Sequence, residues 1–498
     1  MPAASPTLVV ASNRLPVVLS PDGKGDWSLE RGSGGLVTAL EPVLRDRGGT
    51  WVGWPGIETG RIKDMDRVLE SAMEGVGYRV RGVGLTAHEQ DDFYLGFANQ
   101  VIWPLFHDFQ AQCNFDPRFW KTYVRVNQKF ARAILGETSD NDFVWVHDYH
   151  LMTVARHLRE DGCRCRLGFF LHIPFPPLDV FVNLPWRFHV LDALLSYDLV
   201  GFQTARDRRN FLHCVRVLVP GVEMEGEGRV ERLRRGDRVV RVGVFPVSID
   251  FQEFAGMAAT DPVSERVAGL RSEFPGQTII LGVDRLDYSK GIPHKLQGFK
   301  LALERYPDLL SRVVLVQLVV PSREDIPEYY QMRAEIERLV GHIQGEFTRA
   351  GWVPIHYQYG RWDRVELAAH YRAAGIALVT PLKDGMNLVA KEFCASSLEA
   401  RGVLILSEYA GATAQLQKDA LLVNPYDVEG VAYAIHRAFT MPRDEQRRRM
   451  QSLRETIRRT DIKWWVDTFL KAAFDEDLGE SAGVEIYRPP PPEHLEFN

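Results

Sequence analysis

Several features that would place a chain in a common class are missing from these 498 residues. There is no run of roughly 18 or more apolar residues, so the sequence predicts no membrane span. The N-terminal stretch MPAASPTLVVASNR has no basic residues ahead of its short apolar segment, which argues against a signal peptide. Cysteine is scarce, and its five residues are odd in number and scattered, which favours reduced thiols in the cytoplasm.

An excess of positive charge is also missing. The formal net charge is −6, and residues 474–498 contain seven acidic residues against Arg488 alone, so the rest of the chain is close to neutral. A neutral body without a basic stripe argues against nucleic-acid binding, and we expect small-molecule substrates as partners. The acidic segment also contains Pro489 to Pro492, and we predict a flexible extension. No feature of the sequence fixes the oligomeric state, so a homo-oligomer remains open.

Metal-ligand patterns are weak. Cys163 and Cys165 are separated by one residue and lack a second pair, and His147 and His150 lack a third ligand nearby. We therefore expect no metal site and no cofactor.

The length and the apolar pattern predict α/β domains. A chain of 498 residues exceeds the roughly 250 to 300 at which a single core stops growing. Nearly continuous apolar runs are typical of strands buried on both faces of a parallel sheet. These runs cover 7–12, 142–147, 166–172, 278–283, 312–320, 376–380 and 403–407. Helical patterns lie between them, among others over 151–160, 294–307 and 328–347.

This alternation occurs once before and once after about residue 247, which predicts two Rossmann-like domains facing each other across a cleft. The predicted domains are 1–246 and 247–460. A helix over 461–474 is expected to pack back on the first domain, and the acidic tail covers 475–498.

Ligands of parallel sheets bind outside the carboxyl ends of the strands, so the loops there are the first candidates. In the first half, Arg14 follows a strand, and a glycine cluster at 32–35 precedes a helix and suits an anion. Asp148 follows the next strand, where it can accept a hydrogen bond from a ligand hydroxyl. His172 ends a further strand, ahead of a rigid proline-rich turn.

The second half places cations and acids in the same kind of loop. Arg285 and Lys290 follow one strand and suit a diphosphate, and Arg323 follows the next. The stretch TPLKDGMNLVAKEF, 380–393, reads as a strand end, a loop and the start of the helix LVAKEFCASSLEA. Eight residues of helix would span roughly 12 Å, so Asp384 and Glu392 could bind the sugar and the ribose of a nucleotide sugar.

Together these motifs resemble the trehalose-6-phosphate synthases of glycosyltransferase family 20. The resemblance covers about residues 8–474 and is carried by SNRLP, GWPG, WPLFH, WVHDYH, FFLHIPFP, GFQT, DRLDYSKG, PSRED, TPLKDGMNLVAKEF and LVNPYD. It implies a GT-B fold and transfer of glucose from a nucleotide donor to glucose 6-phosphate with retention of configuration. The donor base, uracil, adenine or guanine, stays open. The resemblance also implies that catalysis needs no metal and uses no established side-chain nucleophile.

The resemblance also implies roles for individual residues. The acceptor side would consist of Arg14, Trp54, Tyr94, Trp103, Asp148 and Arg323. The donor side would consist of Gly34, Gly35, His172, Arg285, Lys290, Asp384, Gly385, Met386, Asn387, Leu388, Val389 and Glu392. Among these, the catalytic set would be Arg285, Lys290, His172 and Asp384.

Two features depart from the family pattern, and three other functions compete. The loop LPVVLSPDGKGDWSLERGSGG is longer than expected, and the acidic tail lies outside the motifs.

A glycoside hydrolase would use Asp148 and Asp384 as its carboxylate pair but leaves Arg285, Lys290 and Arg323 without a role. A non-catalytic sensor of sugar phosphates is the second competing function. The third is a sister transferase that glucosylates a glycerol phosphate or an amino-cyclitol phosphate.

Overall fold

The computed structural model describes residues 7–21, 27–31, 35–60, 65–226, 228–322 and 327–474. The strands are β1 (Leu8–Arg14), β2 (Val17–Pro21), β3 (Trp27–Arg31), β4 (Gly49–Trp54), β5 (Arg79–Gly82), β6 (Phe143–His147), β7 (Arg166–Leu171), β8 (Leu199–Phe202), β9 (Glu223–Glu225), β10 (Val230–Arg235), β11 (Arg238–Val244), β12 (Thr278–Arg285), β13 (Val313–Val320), β14 (Ile355–Tyr359), β15 (Ile376–Val379), β16 (Val403–Ser407) and β17 (Leu421–Val423).

The α-helices are α1 (Gly35–Arg47), α2 (Met65–Ala72), α3 (Ala87–Glu89), α4 (Trp103–Phe106), α5 (Pro117–Leu135), α6 (Val154–Glu160), α7 (Leu178–Phe181), α8 (Arg187–Leu194), α9 (Ala205–Leu218), α10 (Phe251–Ala258), α11 (Asp261–Glu273), α12 (Ile292–Arg305), α13 (Pro327–Phe347), α14 (Arg364–Ala373), α15 (Leu388–Ser396), α16 (Thr413–Leu416), α17 (Val428–Thr440), α18 (Arg443–Arg459) and α19 (Ile462–Ala473). Other helical segments are a π-helix, Gln90–Ile102, and short 3-10 turns at Gln110–Gln112, Tyr149–Leu151, Tyr288–Lys290 and Pro307–Leu309.

The first large sheet has nine strands within the described ranges, in the order β5-β4-β1-β6-β7-β8-β11-β10-β9. Neighbours from β5 to β11 are parallel, and β10 is antiparallel to both β11 and β9. Strand β1 pairs with both β4 and β6, so the strand order reverses between β1 and β6. Such a reversal is where an open α/β sheet binds its ligand.

The second large sheet is parallel throughout, in the order β14-β13-β12-β15-β16-β17. Numbered within the sheet this is 3-2-1-4-5-6, the order of dinucleotide-binding folds. Its reversal lies between β12 and β15. The predicted α/β architecture of two Rossmann-like domains is confirmed.

The core of the second sheet explains its uninterrupted apolar strands. Along β13, Val313 and Leu315 face one cluster, with side chains of α12, α13 and α17, while Val314 and Val316 face another, with α11, α14 and α15. Because helices cover both faces of β13, its residues 313–319 are all buried, and the alternation of a one-sided sheet does not arise along this strand.

Within the described residues, the chain divides into two compact units. The first runs to Phe245 and resumes at Trp465, and the second runs from Pro246 to Trp464. Most of α19 therefore belongs to the first unit, where its Phe469 stacks on Trp145 with ring centroids 4.3 Å apart. No helix in the described ranges combines the length and apolar character that a membrane crossing requires.

Three elements differ from the sequence predictions. The long first loop contains an antiparallel hairpin of β2 and β3. The π-helix was not predicted, because its period differs from the 3.6 residues of an α-helix. Helix α15 ends at Ser396 instead of residue 400, since Arg454 of α18 donates to the carbonyls of Cys394 and Ala395 in its last turn. The predicted tail, 475–498, lies outside the described residues.

Candidate active site

The reversal of the first sheet places two predicted acceptor residues at neighbouring strand ends. Arg14 is the last residue of β1, and Asp148 directly follows β6. The guanidinium of Arg14 lies over the ring of Trp54, 4.0 Å from its centroid, at the end of β4. The Trp54 indole donates to the carbonyl of Ile57 across 2.8 Å, which fixes the ring beneath the cation. Such stacking holds Arg14 in a defined orientation.

Close backbone approach also shapes the surroundings of Arg14. Gly56 has a φ of +88°, and a Cβ there would lie 2.2 Å from Arg14 Nη1. Only glycine allows both this backbone conformation and this contact.

A series of aromatic rings connects Trp54 with the remaining acceptor candidates. Trp54 and Tyr94 lie 6.4 Å apart, and Tyr94 stacks on His150 at 5.9 Å. His150 contacts Tyr149 at 3.9 Å, and Tyr149 contacts Trp103 at 5.8 Å. The structure thus brings Arg14, Trp54, Tyr94 and Trp103 into one connected group, through two rings that the sequence analysis had not assigned to a substrate.

The π-helix positions two members of this group. Tyr94 lies within it, and Trp103 directly follows it at the start of α4. Asn99 of the same helix donates to the Tyr94 carbonyl across 2.7 Å and accepts a hydrogen bond from the Tyr149 hydroxyl at 3.3 Å. Long π-helices are rare and often lie at functional sites.

Asp148 has an unusual backbone conformation, with φ +73° and ψ 167°. A non-glycine residue at positive φ is strained, and such strain is concentrated at functional sites. The Asp148 amide donates to the Phe170 carbonyl across 2.8 Å, and its Oδ1 accepts from the His172 amide at 3.3 Å. These bonds tie the ends of β6 and β7 together.

His172 follows β7 and contacts a second histidine. His147 Nδ1 and His172 Nε2 are 3.2 Å apart, and both side chains are buried. Burial lowers the pKa of His172 to about 3, and burial beside His172 holds the pKa of His147 well below its ordinary value. Both imidazoles are therefore neutral near pH 7, and His172 can act as a hydrogen-bond partner and not as a cation.

The reversal of the second sheet joins two predicted donor residues directly. Lys290 follows β12 and Asp384 follows β15, and Lys290 Nζ donates to Asp384 Oδ2 across 2.5 Å. Their side chains keep only 13% and 10% of their exposure, so the ion pair is largely desolvated. Asp384 Oδ1 also accepts from the Met386 amide at 3.1 Å. The carboxylate is thus held as an acceptor at the mouth of the sheet.

Arg285 is the last residue of β12, and its side chain is exposed. The turn that follows it is fixed by Asp287, whose Oδ1 accepts from the Ser289 amide at 3.0 Å and from its hydroxyl at 2.8 Å. Gly291, with φ +64°, then starts α12 where a Cβ would lie 2.9 Å from the Leu382 side chain. This close approach brings the Lys290 turn against the loop that carries Asp384.

Helix α15 begins in the predicted donor loop. Asn387 has φ +64°, and its Oδ1 caps the helix by accepting from the Ala390 amide at 3.2 Å. Asn387 Nδ2 donates to Asp384 Oδ2 at 3.2 Å, so the cap and the ion pair form one network. Gly385, Met386, Leu388 and Val389 surround this N-terminus, where a helix favours an anion.

Glu392 lies one turn further along α15. The hydroxyl of Tyr371, a buried residue of α14, donates to Glu392 Oε2 across 2.8 Å. Burial raises the pKa of Glu392. Asp384 lies in the loop before the helix, as the sequence predicted, so the eight positions between the two acids combine a capped turn with the first turn of α15. The roughly 12 Å estimated for eight helical residues therefore does not apply to the whole of this stretch.

The remaining predicted residues have different outcomes. Gly35 is the first residue of α1, whereas Gly34 and Arg323 lie outside the described residues. Among the residues that the structure does describe, no group of three or more His, Cys, Asp or Glu side chains could hold a metal ion.

Sequence analysis missed the partners that orient these side chains. His147, Tyr149 and His150 lie within the WVHDYH motif, yet the pattern suggested only a weak metal pair. Tyr371 gave no signal, because one tyrosine in an amphipathic helix looks like a core residue. A polar ring at the last position of a predicted strand, with a second one three residues later, is the feature that could have identified His147 and His150.

Comparison with known proteins gives one consistent family. The model of glycosyltransferase family 20 matches residues 6–475. The trehalose-6-phosphate synthase of Mycolicibacterium gilvum is 42% identical over 489 residues, which cover 97% of this chain and 96% of the relative. The corresponding protein of Mycobacterium leprae is also 42% identical, over 93% of this chain and 94% of its own.

Solved structures agree with the family match. The alpha,alpha-trehalose-phosphate synthase (UDP-forming) of Burkholderia xenovorans, in complex with glucose-6-phosphate, is similar with a TM-score of 0.83 at 32% identity, covering 94% of this chain and all of its own. An E. coli protein bound with UDP-2-fluoro glucose is similar with a TM-score of 0.83 at 34% identity, covering 96% of this chain and 100% of its own.

Proposed function

The chain belongs to glycosyltransferase family 20 and is a glycosyltransferase, and on that premise we propose that it transfers glucose from UDP-glucose to glucose 6-phosphate. The products are alpha,alpha-trehalose 6-phosphate and UDP, and the configuration of the transferred glucose is retained. The donor base follows from the similar structures, one described as UDP-forming and another bound with UDP-2-fluoro glucose.

The observation that carries the donor assignment is the ion pair of Lys290 and Asp384 at the reversal of the second sheet. A nucleotide sugar needs a cation for its diphosphate and an acceptor for its sugar hydroxyls. Lys290 and the neighbouring Arg285 supply the cations, and Asp384 supplies the carboxylate. The N-terminus of α15 adds a favourable dipole for the phosphates, and Glu392 binds the ribose.

The acceptor assignment rests on the group around Arg14. Its guanidinium is oriented by Trp54 and suits a phosphate, which it can bind with two hydrogen bonds. Tyr94 and Trp103 complete the phosphate site, and Asp148 binds the hydroxyls of the acceptor sugar. Arg323, also predicted for this phosphate, lies outside the described residues.

The rate of glucosyl transfer depends on how well the protein stabilises the charge that develops on the leaving group. Negative charge builds on the leaving diphosphate as the glycosidic bond breaks, and Arg285 and Lys290 stabilise it in place, a contribution of about 3 kcal/mol for a well-placed group. The acceptor attacks from the face of the leaving group, and a phosphate oxygen takes its proton. His172, which is neutral, donates or accepts a hydrogen bond at the donor glucose. Exclusion of water protects the donor from hydrolysis.

We further propose that the reaction needs no metal and takes place in the cytoplasm. Arg285, at the end of β12, and Lys290, in the turn after it, supply the charge that a divalent ion would otherwise provide. The scattered cysteines suit a reducing compartment. A hydrolase fits less well, because it leaves the cations Arg285 and Lys290 at the mouth of the second sheet without a role.

The test is product formation by the purified protein with UDP-, ADP- and GDP-glucose, each offered glucose 6-phosphate, glycerol 3-phosphate or free glucose. We expect one disaccharide phosphate, from UDP-glucose and glucose 6-phosphate, and NMR of its two anomeric protons should show that both anomeric centres are α. A preference for glycerol 3-phosphate would assign the chain to the sister transferase. Glucose release without an acceptor would indicate a hydrolase, and no turnover with ligand binding would indicate a sensor.

A further inference from the structure

Helix α15 carries a fully buried lysine that the proposed chemistry does not use. The Lys391 side chain has 0% exposure, and its Nζ donates to the Val247 carbonyl and to Gln415 Oε1, each across 2.5 Å. Both acceptors are uncharged oxygens. Burial lowers the pKa of Lys391 to about 7. A methionine of similar length would fill the same space without this cost, so the hydrogen bonds themselves need an explanation.

The two partners of Lys391 lead to the two places where the chain passes between its units. Val247 lies just after the first passage, at Phe245 to Pro246. Gln415 Nε2 donates to Thr460 Oγ1 at 2.8 Å, shortly before the second passage, at Trp464 to Trp465. We call residues 246–250 and 460–464 the connecting segments. They also bond to each other directly, because the Ile462 amide donates to the Ile249 carbonyl at 3.0 Å.

Lys391 directly precedes Glu392, and the two side chains leave the helix about 100° apart. Glu392 is fixed by Tyr371 of α14, and Lys391 by the connecting segments. Arg454 of α18 binds the carbonyls at the C-terminal end of the helix. Two anchors on different sides and one at the end define both the rotation of α15 and its position along its axis.

We propose that Lys391 is a positioning residue for the nucleotide donor, which holds α15 in register with both connecting segments. The inference rests on the proposed function, because α15 carries the groups assigned to the diphosphate and the ribose. A shift of the helix would displace Glu392 and the N-terminal dipole together. The acceptor group around Arg14 belongs to the other unit and is tied to none of these bonds.

The experiment compares donor and acceptor constants in Lys391→Met. We expect its KM for UDP-glucose and the Kd for UDP, measured by calorimetry, to rise at least about tenfold, because α15 loses both hydrogen bonds that hold it in register. The KM for glucose 6-phosphate should stay within about twofold of the wild type. Gln415→Leu, which removes one acceptor and the link to Thr460, should change the same constants in the same direction by less.

Ile336→Ala is the control for a general loss of stability. It opens a cavity in the apolar cluster that α12, α13 and α17 form on one face of the second sheet, and it does not touch α15. Its UDP affinity should equal that of the wild type. Lys391→Arg, which keeps nitrogen donors at this position, should recover part of the lost affinity. Should Lys391→Met fail to fold, Gln415→Leu and Lys391→Arg carry the test alone.

The outcomes separate this inference from the function it rests on. Unchanged UDP affinity in Lys391→Met, or in Gln415→Leu where only that variant folds, overturns the positioning role. A parallel rise of both substrate constants does the same, since that is the signature of unspecific damage. Wild-type protein that binds no UDP would instead contradict the proposed donor, whatever the variants do.

Discussion

Lys290 donates to Asp384 across 2.5 Å, and this bond joins the loops after the two strands that flank the reversal of the second sheet. The two residues are 94 positions apart in the sequence. Each reduces the cost of burying the other, so the cation assigned to the diphosphate and the acid assigned to the sugar form a single unit. Substitution of either residue should therefore affect the binding of both the diphosphate and the sugar.

The first prediction concerns this unit. Lys290→Met should lower kcat at least about tenfold, because the leaving diphosphate loses a positioned cation. Arg285→Met should act in the same direction, while the KM for glucose 6-phosphate is largely kept. Lys300→Met, in the helix that follows this turn but paired with Glu304, is the matched control and should retain full turnover. Equal turnover in folded Lys290→Met would remove this lysine from catalysis.

The second prediction concerns the acceptor phosphate. Free glucose should be almost inert beside glucose 6-phosphate, since each lost charge-assisted hydrogen bond costs roughly 1.5 to 3 kcal/mol. Arg14→Ala should raise the KM for glucose 6-phosphate and leave the KM for the donor nearly unchanged. Initial rates over both substrate concentrations measure this. Comparable rates with unphosphorylated glucose would refute the acceptor assignment.

The third prediction uses a pair of matched glycines. Gly56→Ala should raise the acceptor KM at least about fivefold, because the new Cβ would lie 2.2 Å from Arg14 Nη1 and must displace it. Gly60 has nearly the same φ, +92° against +88°, but a Cβ there meets no atom of the described residues within 4 Å. Gly60→Ala therefore carries the same backbone strain without the clash. If both variants raise the acceptor KM equally, displacement of Arg14 is not the cause.

The fourth prediction is a dependence of stability on pH. The folded pKa of His172 is about 3, below its ordinary value of 6.5, so between these values the unfolded chain binds a proton that the folded chain excludes. Stability is therefore lost as the pH falls through this window. On going from about pH 7.5 to about pH 5, wild type should lose roughly 2 kcal/mol more unfolding free energy than His172→Asn.

Urea unfolding at a series of pH values measures this difference. His342→Asn, at an exposed position of α13, is the control and should follow the wild type. A His172→Asn variant that loses stability as steeply as the wild type would show that His172 is not the excluded site.

Independence from metal is the fifth prediction. Full activity should persist after extensive treatment with a chelator, because Arg285 and Lys290 supply the positive charge at the leaving group. Activity that disappears with the chelator and returns with a divalent ion would contradict this.

The strands could be predicted well from the sequence because a run of consecutive apolar residues is enough to indicate a buried strand. Runs such as Val313–Val320 are apolar at every position except Gln317, and a strand buried on both faces needs little else. The loops after these strands were predicted for the same reason, since parallel strands end at one edge. Arg14, Asp148, Lys290 and Asp384 could thus be placed near strand ends from the sequence alone.

The partners of these residues could not be predicted, because they are set by tertiary packing. His147 and His172 are 25 positions apart, Tyr371 and Glu392 are 21 apart, and Val247 and Lys391 are 144 apart. No local pattern links such pairs. The π-helix was missed for another reason: its period is not the 3.6 residues of the helical pattern sought in the sequence, although its Phe93 and Phe97 are buried and contact Tyr123.

The return of α19 to the first unit affects how the protein is made. Phe469 and Trp465 pack on Trp145, so the first unit lacks part of its interior until the second unit has been synthesised and α19 has left the ribosome. Multidomain chains usually fold from the N-terminus during synthesis, but here the unit begun first is completed last. A nascent chain stalled near residue 245 would expose the apolar surface that α19 covers. Expression of that fragment alone should give insoluble protein, and coexpression with a separate 246–474 fragment should restore solubility.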